Sequence, residues 1–341
     1  MRRREFITGT AATAAMGFAQ PIFAQANPRP TSIKRIAIFH PSEPPEGLSI
    51  NGRRAYKVFF GKLNELGYNE GQNLTVERYS AFGHSKGYED IARAIVASHP
   101  DLIISLGGPV TRVLKPLTAT IPIVAITSEP VAVDVVTKNL AKPDRNITGA
   151  TAYVGSEVWG KRLEVLRETV GSLTKVRFLM PSSLAAFWDI TGGPEATLEA
   201  ARRGGIEFGA ALVLEPFQTF ERIFESMAAE KVDGLMVAAA AEFFTYRQLI
   251  VDCAATHRLP AIYFAREWVD IGGLMSYGYD IVDIMRRIAD MTDQILKGAK
   301  PAEIPFYQPT QLELVLNRTV AKSLGLDFAP SLLAAAHEVI E

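Results

Sequence analysis

Two stretches decide the fold: Lys34-Arg35-Ile36-Ala37-Ile38-Phe39-His40-Pro41-Ser42 and Lys175-Val176-Arg177-Phe178-Leu179-Met180-Pro181-Ser182. Each opens on basic residues, runs through unbroken apolar positions, and stops at Pro-Ser. A short apolar run bounded by turn residues is what a strand buried on both faces looks like, and such strands belong to parallel sheets covered by helices. The same pattern recurs around both. Strands are expected at Arg35–Phe39, Leu74–Tyr79, Leu102–Leu106, Ile123–Ile126 and Ile147–Ala152. A second series is expected at Val176–Met180, Glu207–Val213, Gly234–Val237 and Ala261–Phe264. Amphipathic stretches fill the gaps. In the clearest, Ile281, Ile284, Met285, Ile288, Met291 and Ile295 recur at helical spacing before Lys297-Gly298.

The two series share further landmarks. Pro100-Asp101 precedes one apolar run and Val232-Asp233 its counterpart; Ile121-Pro122 and Leu259-Pro260 do the same one strand later. The expectation is an α/β protein of two doubly wound, Rossmann-like parallel-sheet lobes joined by a multi-segment hinge. A chain of 341 residues suits two such units at about 150 residues each. Lobe 1 is expected over 31–152 plus about 279–306, and lobe 2 over 153–278 plus about 307–341.

Doubly wound sheets bind ligands beyond the carboxyl ends of their strands. Facing lobes would therefore hold their ligand in the cleft between them. In the first half the strand-end residues are His40-Pro41-Ser42, Gly107-Gly108-Pro109 and Thr127-Ser128-Glu129. In the second half they are Pro181-Ser182-Ser183, Ala238 to Glu242, and Arg266-Glu267. From these come the candidate ligand residues Ser42, Gly107, Gly108, Thr127, Ser128, Glu129, Ser182, Ser183, Ala239, Glu242 and Arg266. Hydroxyls and free backbone N–H groups at such turns can hold an anion, although the same residue types also serve there as helix caps. Trp188, in a loop next to a Gly-rich helix start, is a candidate stacking surface. Tyr277 sits where the chain should cross between lobes, and is read as a hinge or ligand residue. Arg266 could clamp a carboxylate or pair with its neighbour Glu267. Trp159, Phe243 and Phe244 fit helix faces and read as core.

Composition and motifs exclude several functions. Net charge is −1, or −3 without the first 26 residues, with no basic block. Nothing therefore points to nucleic acid or to a polybasic membrane patch. Arg2-Arg3-Arg4, a weakly apolar stretch and Ala24-Gln25-Ala26 read as a cleaved, Tat-like export signal over 1–26. No later run is long enough to span a bilayer. The lone Cys253 permits no intrachain disulfide and lies far from any lipidation site. Gly155 and Gly160-Lys161 imitate a phosphate loop, but Arg162 replaces the Ser or Thr that would hold Mg²⁺. His40, His84, His99, His257 and His337 are scattered, without metal-ligand spacing. No catalytic signature, metal or cofactor is expected, and an exported α/β enzyme is the alternative from another class.

With these residues in view, the chain closely resembles the ABC transporter substrate-binding family whose characterised members include tryptophan- and tyrosine-binding proteins. The resemblance spans the mature chain. It is densest at Leu66-Gly67-Tyr68, Glu70-Gly71-Gln72-Asn73, Gly160-Lys161-Arg162-Leu163-Glu164, His257-Arg258-Leu259-Pro260 and Gly272-Gly273-Leu274-Met275-Ser276-Tyr277-Gly278. The tail adds Ile295-Leu296-Lys297-Gly298, Leu312-Glu313-Leu314-Val315 and Pro330-Ser331-Leu332-Leu333. The resemblance implies a type I periplasmic binding protein: a soluble, periplasmic monomer that captures a small organic solute for an ABC permease and its ATPase. Two departures bear on the ligand. Ser128-Glu129-Pro130-Val131 stands where the family often has Gly-Asp-Pro-Val. Ala238-Ala239-Ala240-Ala241 stands where an Asp commonly precedes the Phe-Phe pair, with Glu242 nearby. A buried ammonium wants a carboxylate partner, so an aromatic or other carboxylate is favoured as ligand. An amino-acid receptor using Glu242 is the alternative within the family.

Overall fold

The computed structural model describes residues 33–127, 139–143, 145–152, 157–184, 188, 195–214 and 220–341, with only the backbone of Ser183. The expected export signal, Ser128 and Glu129 lie outside the described residues. Two sheets carry the chain. The first has strands β1 (Lys34–His40), β2 (Leu74–Ser80), β3 (Leu102–Leu106), β4 (Ile123–Thr127) and β5 (Ile147–Thr151), in the order β2-β1-β3-β4-β5 and parallel throughout. The second has β6 (Lys175–Pro181), β7 (Glu207–Val213), β8 (Gly234–Val237), β9 (Ala261–Tyr263), β10 (Met275–Gly278), β11 (Glu313–Asn317) and β12 (Glu338–Ile340). Its order is β12-β11-β10-β9-β8-β6-β7, parallel except where β10 meets β11. All nine strands read from the sequence are present to within a residue or so at each end. Strands β10 to β12 extend the second sheet beyond the expected series.

The landmark aspartates explain why the two halves look alike. Asp101 accepts a hydrogen bond from the Arg35 N–H at 2.7 Å and donates its own N–H to the Arg35 carbonyl at 2.8 Å. In the second lobe Asp233 accepts from the N–H groups of Thr174 (2.9 Å) and Lys175 (2.7 Å), and its N–H bonds the Lys175 carbonyl at 3.0 Å. In both, a carboxylate ahead of one strand satisfies the orphan donors at the start of its neighbour, which fixes register.

Helices α1 (Arg54–Glu65), α2 (Tyr88–Ala97) and α3 (Gly108–Leu114) belong to the first sheet. The second is covered by α4 (Glu157–Val170), α5 (Glu195–Gly204), α6 (Phe220–Ala229), α7 (Ala241–Thr245), α8 (Arg247–Thr256) and α9 (Arg266–Val269). The long helix α10 (Ile281–Leu296) is capped by Asp280, whose carboxylate accepts from the Val282 N–H at 2.8 Å. It leaves the second sheet and packs on α1 and on β3 to β5, burying Ile284, Met285, Ile288, Ala289 and Ile295. This is the apolar stripe read from the sequence. Two short helices, α11 (Arg318–Leu324) and α12 (Pro330–Ala335), complete the second lobe around β11 and β12. Arg162, the residue that spoils the phosphate-loop pattern, is buried in α4 and donates through Nε to the Tyr277 carbonyl at 2.7 Å. Among the described residues no helix is long and apolar enough to cross a membrane, and no cluster could hold a metal ion.

Candidate functional site

The carboxyl ends of both sheets open onto one cavity. Strand β1 contributes His40, the end of β3 gives Leu106 and Gly107, β4 gives Ile126, and the residue after β5 is Ala152. Across from them stand Ala239, Ala241 and Phe244, which follow β8. Arg53, Ala55 and Tyr56 come from the start of α1. Tyr279, Ile281 and Met285 come from the crossing into α10. The space between these walls, including its open mouth, is about 520 Å³. The lining is mostly aliphatic and aromatic, and Arg53 is its one side chain of fixed charge among the described residues.

The lobes touch beside this cavity. The Ser42 and Thr245 hydroxyls share a hydrogen bond at 2.8 Å, and Ser42 Oγ lies 3.2 Å from the Glu242 carbonyl. Gly107 approaches so closely that an added Cβ would lie 3.4 Å from that of Ala241. The Arg53 guanidinium sits between two rings, 5.0 Å from the centroid of Tyr56 in its own lobe and 4.8 Å from that of Phe244 in the other. Phe244 is itself wedged edge-on against Phe264 at 5.1 Å.

Arg53 is held electrostatically as well. Its Nη2 lies 2.8 Å from Glu43 Oε2 and 3.2 Å from the Tyr56 hydroxyl. The two charged side chains are only 13% and 10% exposed. The carboxylate fits because residue 47 is glycine: a Cβ there would fall 2.5 Å from Glu43 Oε1. Arg53 Nε is buried without a hydrogen-bond partner among the described residues. Further out, Arg247 donates to the Phe244 carbonyl at 2.6 Å. Burial, then the Arg53 charge, lowers the Arg247 pKa. Glu267 is shifted upward, chiefly by burial.

His40 folds back over the turn that follows β1. Its Nδ1 accepts from the N–H groups of Ser42 (3.0 Å) and Glu43 (2.7 Å). A nitrogen accepting two donors carries no proton, so the proton of the neutral ring resides on Nε2. Burial and the neighbouring Arg53 charge hold the ring's pKa well below its ordinary value.

Of the residues expected from sequence, Gly107 and Ala239 stand on the cavity wall. Thr127 is fully buried at the end of β4, with no partner for its hydroxyl among the described residues. Gly108 is buried in the first turn of α3, and Glu242 is buried in α7. Neither lines the cavity. Ser182 and Ser183 lie in a single 3-10 turn off the wall, and Tyr277 is half-buried within β10. Three placements differ from the sequence expectation. Ser42 faces Thr245 across the lobe contact instead of the cavity, because His40 ties down the backbone that carries it. Arg266 is committed to a two-pronged pair with Glu338 of β12 and lies 3.3 Å from Asp270, so its fork is occupied. Trp188 stacks on Phe178 (6.0 Å) and lies tilted against Phe208 (5.8 Å), over β6 and β7.

Trp188 accordingly has a packing role. Trp188→Ala is expected to lower stability by ~2–3 kcal/mol, below a full core truncation because the ring is half-buried. Ligand affinity should be unchanged. Thermal unfolding and calorimetry on one preparation check both, and a large loss of affinity would return Trp188 to the site.

The wall residues that sequence reading passed over are chiefly Arg53, Tyr56, Phe244, Tyr279 and Met285. Phe244 was read as core, and it is buried while also facing the cavity. The strand-end position of His40 was the one available signal for that residue.

Comparison with known proteins adds a family and a fold. A family model described as ABC transporter substrate binding protein matches residues 52–340. In sequence the chain is 21% identical over 276 residues to the tyrosine-binding protein of Clostridioides difficile (strain R20291), covering 80% of this chain and 77% of that one. A structure from Streptococcus pneumonia, solved in complex with L-Trp, superposes with a TM-score of 0.76 at 23% identity, covering 91% of this chain and all of that one. A conserved domain protein from Vibrio cholerae gives the same TM-score and identity over 90% of this chain and all of its own.

Proposed function

The chain belongs to the ABC transporter substrate-binding protein family, and from that premise we propose that it is an exported, periplasmic receptor. It captures a small organic acid with an apolar or aromatic body and delivers it unaltered to an ABC importer. The observation that carries the ligand class is the cavity wall itself. Aliphatic and aromatic side chains from both lobes surround the single cation Arg53, and no carboxylate lines the cavity among the described residues. An apolar body gains ~25 cal/mol for each Å² it removes from water. A carboxylate gains charge-assisted hydrogen bonds from a guanidinium, whereas an ammonium group would lie among these walls without a counter-charge.

A thermal-shift panel tests this: 3-phenylpropanoate, indole-3-propionate and hexanoate against L-phenylalanine, L-tryptophan and 2-phenylethylamine. An acid at about 100 times its Kd should add ~2.7 kcal/mol of stability. Mass spectrometry should recover it unchanged at a stoichiometry near one. Steady conversion to product, or stabilisation by the amine and not the acid, overturns the reading.

The relatives favour a second reading. One is named a tyrosine-binding protein and one structure holds L-Trp, so an aromatic amino acid is the runner-up. Competition decides between them: L-phenylalanine displacing 3-phenylpropanoate at lower concentration supports the amino acid.

A further inference from the structure

We propose that His40 is a specificity-determining residue of this cavity: it presents a fixed Nε2–H donor to the ligand and so selects an acceptor oxygen at that point. The inference rests on the receptor reading above and adds a second polar anchor next to Arg53.

The geometry fixes the donor. The backbone after β1 turns so that the N–H groups of Ser42 and Glu43 both aim at His40 Nδ1, at 3.0 and 2.7 Å. Moving the proton to Nδ1 would set it against two N–H groups and forfeit both bonds. Protonating both nitrogens would do the same, and would put a second cation beside Arg53 in a ring only 2% exposed. The low pKa of the ring agrees with this arrangement. The tautomer is therefore set by backbone, independently of any ligand. Nε2 has no protein partner among the described residues, and His40 stands on the cavity wall. A donor that a bound ligand shuts off from water and leaves without an acceptor is costly, so a ligand that supplies an oxygen there is favoured. One that supplies an amine or a methyl group is disfavoured.

The turn also links the two anchors. By holding the Glu43 N–H, His40 fixes the residue whose carboxylate orients the Arg53 guanidinium. One ring thus donates to the ligand on one edge and positions the neighbouring cation through the other.

Two substitutions separate these edges. Asparagine places an amide oxygen near the Nδ1 position but does not reach Nε2, so His40→Asn keeps the turn acceptor and removes the donor. Glutamine does the reverse. Affinities are measured for 3-phenylpropanoate and for its neutral amide, 3-phenylpropanamide. His40→Asn should keep the wild-type melting temperature within a few degrees and weaken both ligands by a similar factor, roughly tenfold. Both ligands carry the acceptor oxygen. His40→Gln should melt lower while keeping more of the affinity. Arg53→Met, by contrast, should weaken the acid far more than the amide. Equal binding of both ligands by wild type and His40→Asn overturns the inference while leaving the receptor reading intact. Failure of wild type to bind any acid of the panel overturns the receptor reading, and this inference with it. Should either variant fail to fold, ¹⁵N NMR of the wild-type imidazole still decides. The expected spectrum has a protonated Nε2 and an unprotonated Nδ1, with the Nε2–H resonance moving downfield when acid is added. A proton on Nδ1 would overturn it.

Discussion

Replacing Arg53 with methionine is expected to weaken acid binding by ~100-fold or more and, separately, to destabilise the unliganded protein. The two losses have different origins. Charge-assisted hydrogen bonds contribute ~1.5–3 kcal/mol each, and 1.4 kcal/mol is about a factor of ten in Kd. Two such bonds therefore account for the loss of affinity. The loss of stability comes from Glu43, which the substitution leaves buried beneath Gly47 without its cation. Removing one member of a buried pair costs ~3–5 kcal/mol. With 13% and 10% of the side chains still exposed, the low end of that range is expected. Stacking on Tyr56 and Phe244 adds ~0.5–1 kcal/mol per ring. The double variant Glu43→Gln/Arg53→Met should recover most of the stability, since no lone buried charge remains, and none of the affinity. Chemical denaturation and calorimetry on the three proteins read this directly. Wild-type affinity in Arg53→Met would remove the cation from the site, and an unrecovered double variant would show that packing outweighs charge here.

The fold was legible because the buried central strands β1, β3, β4, β6, β8 and β9 are written as short, largely apolar runs, and the nine expected strands fall in two similar series. Strands β10 to β12 were not legible for the opposite reason. Met-Ser-Tyr-Gly, Glu-Leu-Val-Leu-Asn and Glu-Val-Ile are short and mixed, and only pairing with neighbours makes them strands. The site divides along the same line. Gly107 and Ala239 lie immediately past apolar runs, so knowing where a strand ends places them near the cleft. Arg53 lies thirteen residues beyond His40, beside Arg54, and nothing local says which of the two folds inward and which faces water. Phe244 carries one signal for two roles, since a ring that lines a cavity and a ring that fills a core obey the same periodicity. The Gly-rich surroundings of Trp188 suggest an open loop, whereas its ring partners Phe178 and Phe208 come from the strands β6 and β7 that flank it, and only their pairing brings the three rings together.

Gly107→Val is expected to hold the lobes apart and weaken ligand binding by ~10- to 100-fold. Residue 107 joins β3 to α3 at φ +127°, ψ 144°, a backbone conformation that L side chains rarely adopt. Strain of ~1–3 kcal/mol follows from any side chain at such a position, and a β-branched one is the least tolerated. That part acts on the open and closed forms alike and should appear as lower thermal stability. The second part acts only on closure. A Cβ would already lie 3.4 Å from Ala241 Cβ in the other lobe and 3.7 Å from Pro41 Cγ, so the next carbons of valine meet that wall. Overpacking a tight contact costs ~1–3 kcal/mol, and it opposes closing alone. Gly107→Ala, which stops at the first carbon, should show the backbone strain with little loss of affinity. Small-angle scattering with and without 3-phenylpropanoate separates the two parts. Wild type should contract on binding, Gly107→Ala should contract similarly, and Gly107→Val should stay extended at the same ligand occupancy. Full contraction of the valine variant would show that the lobes close on a path that never brings residue 107 against Ala241.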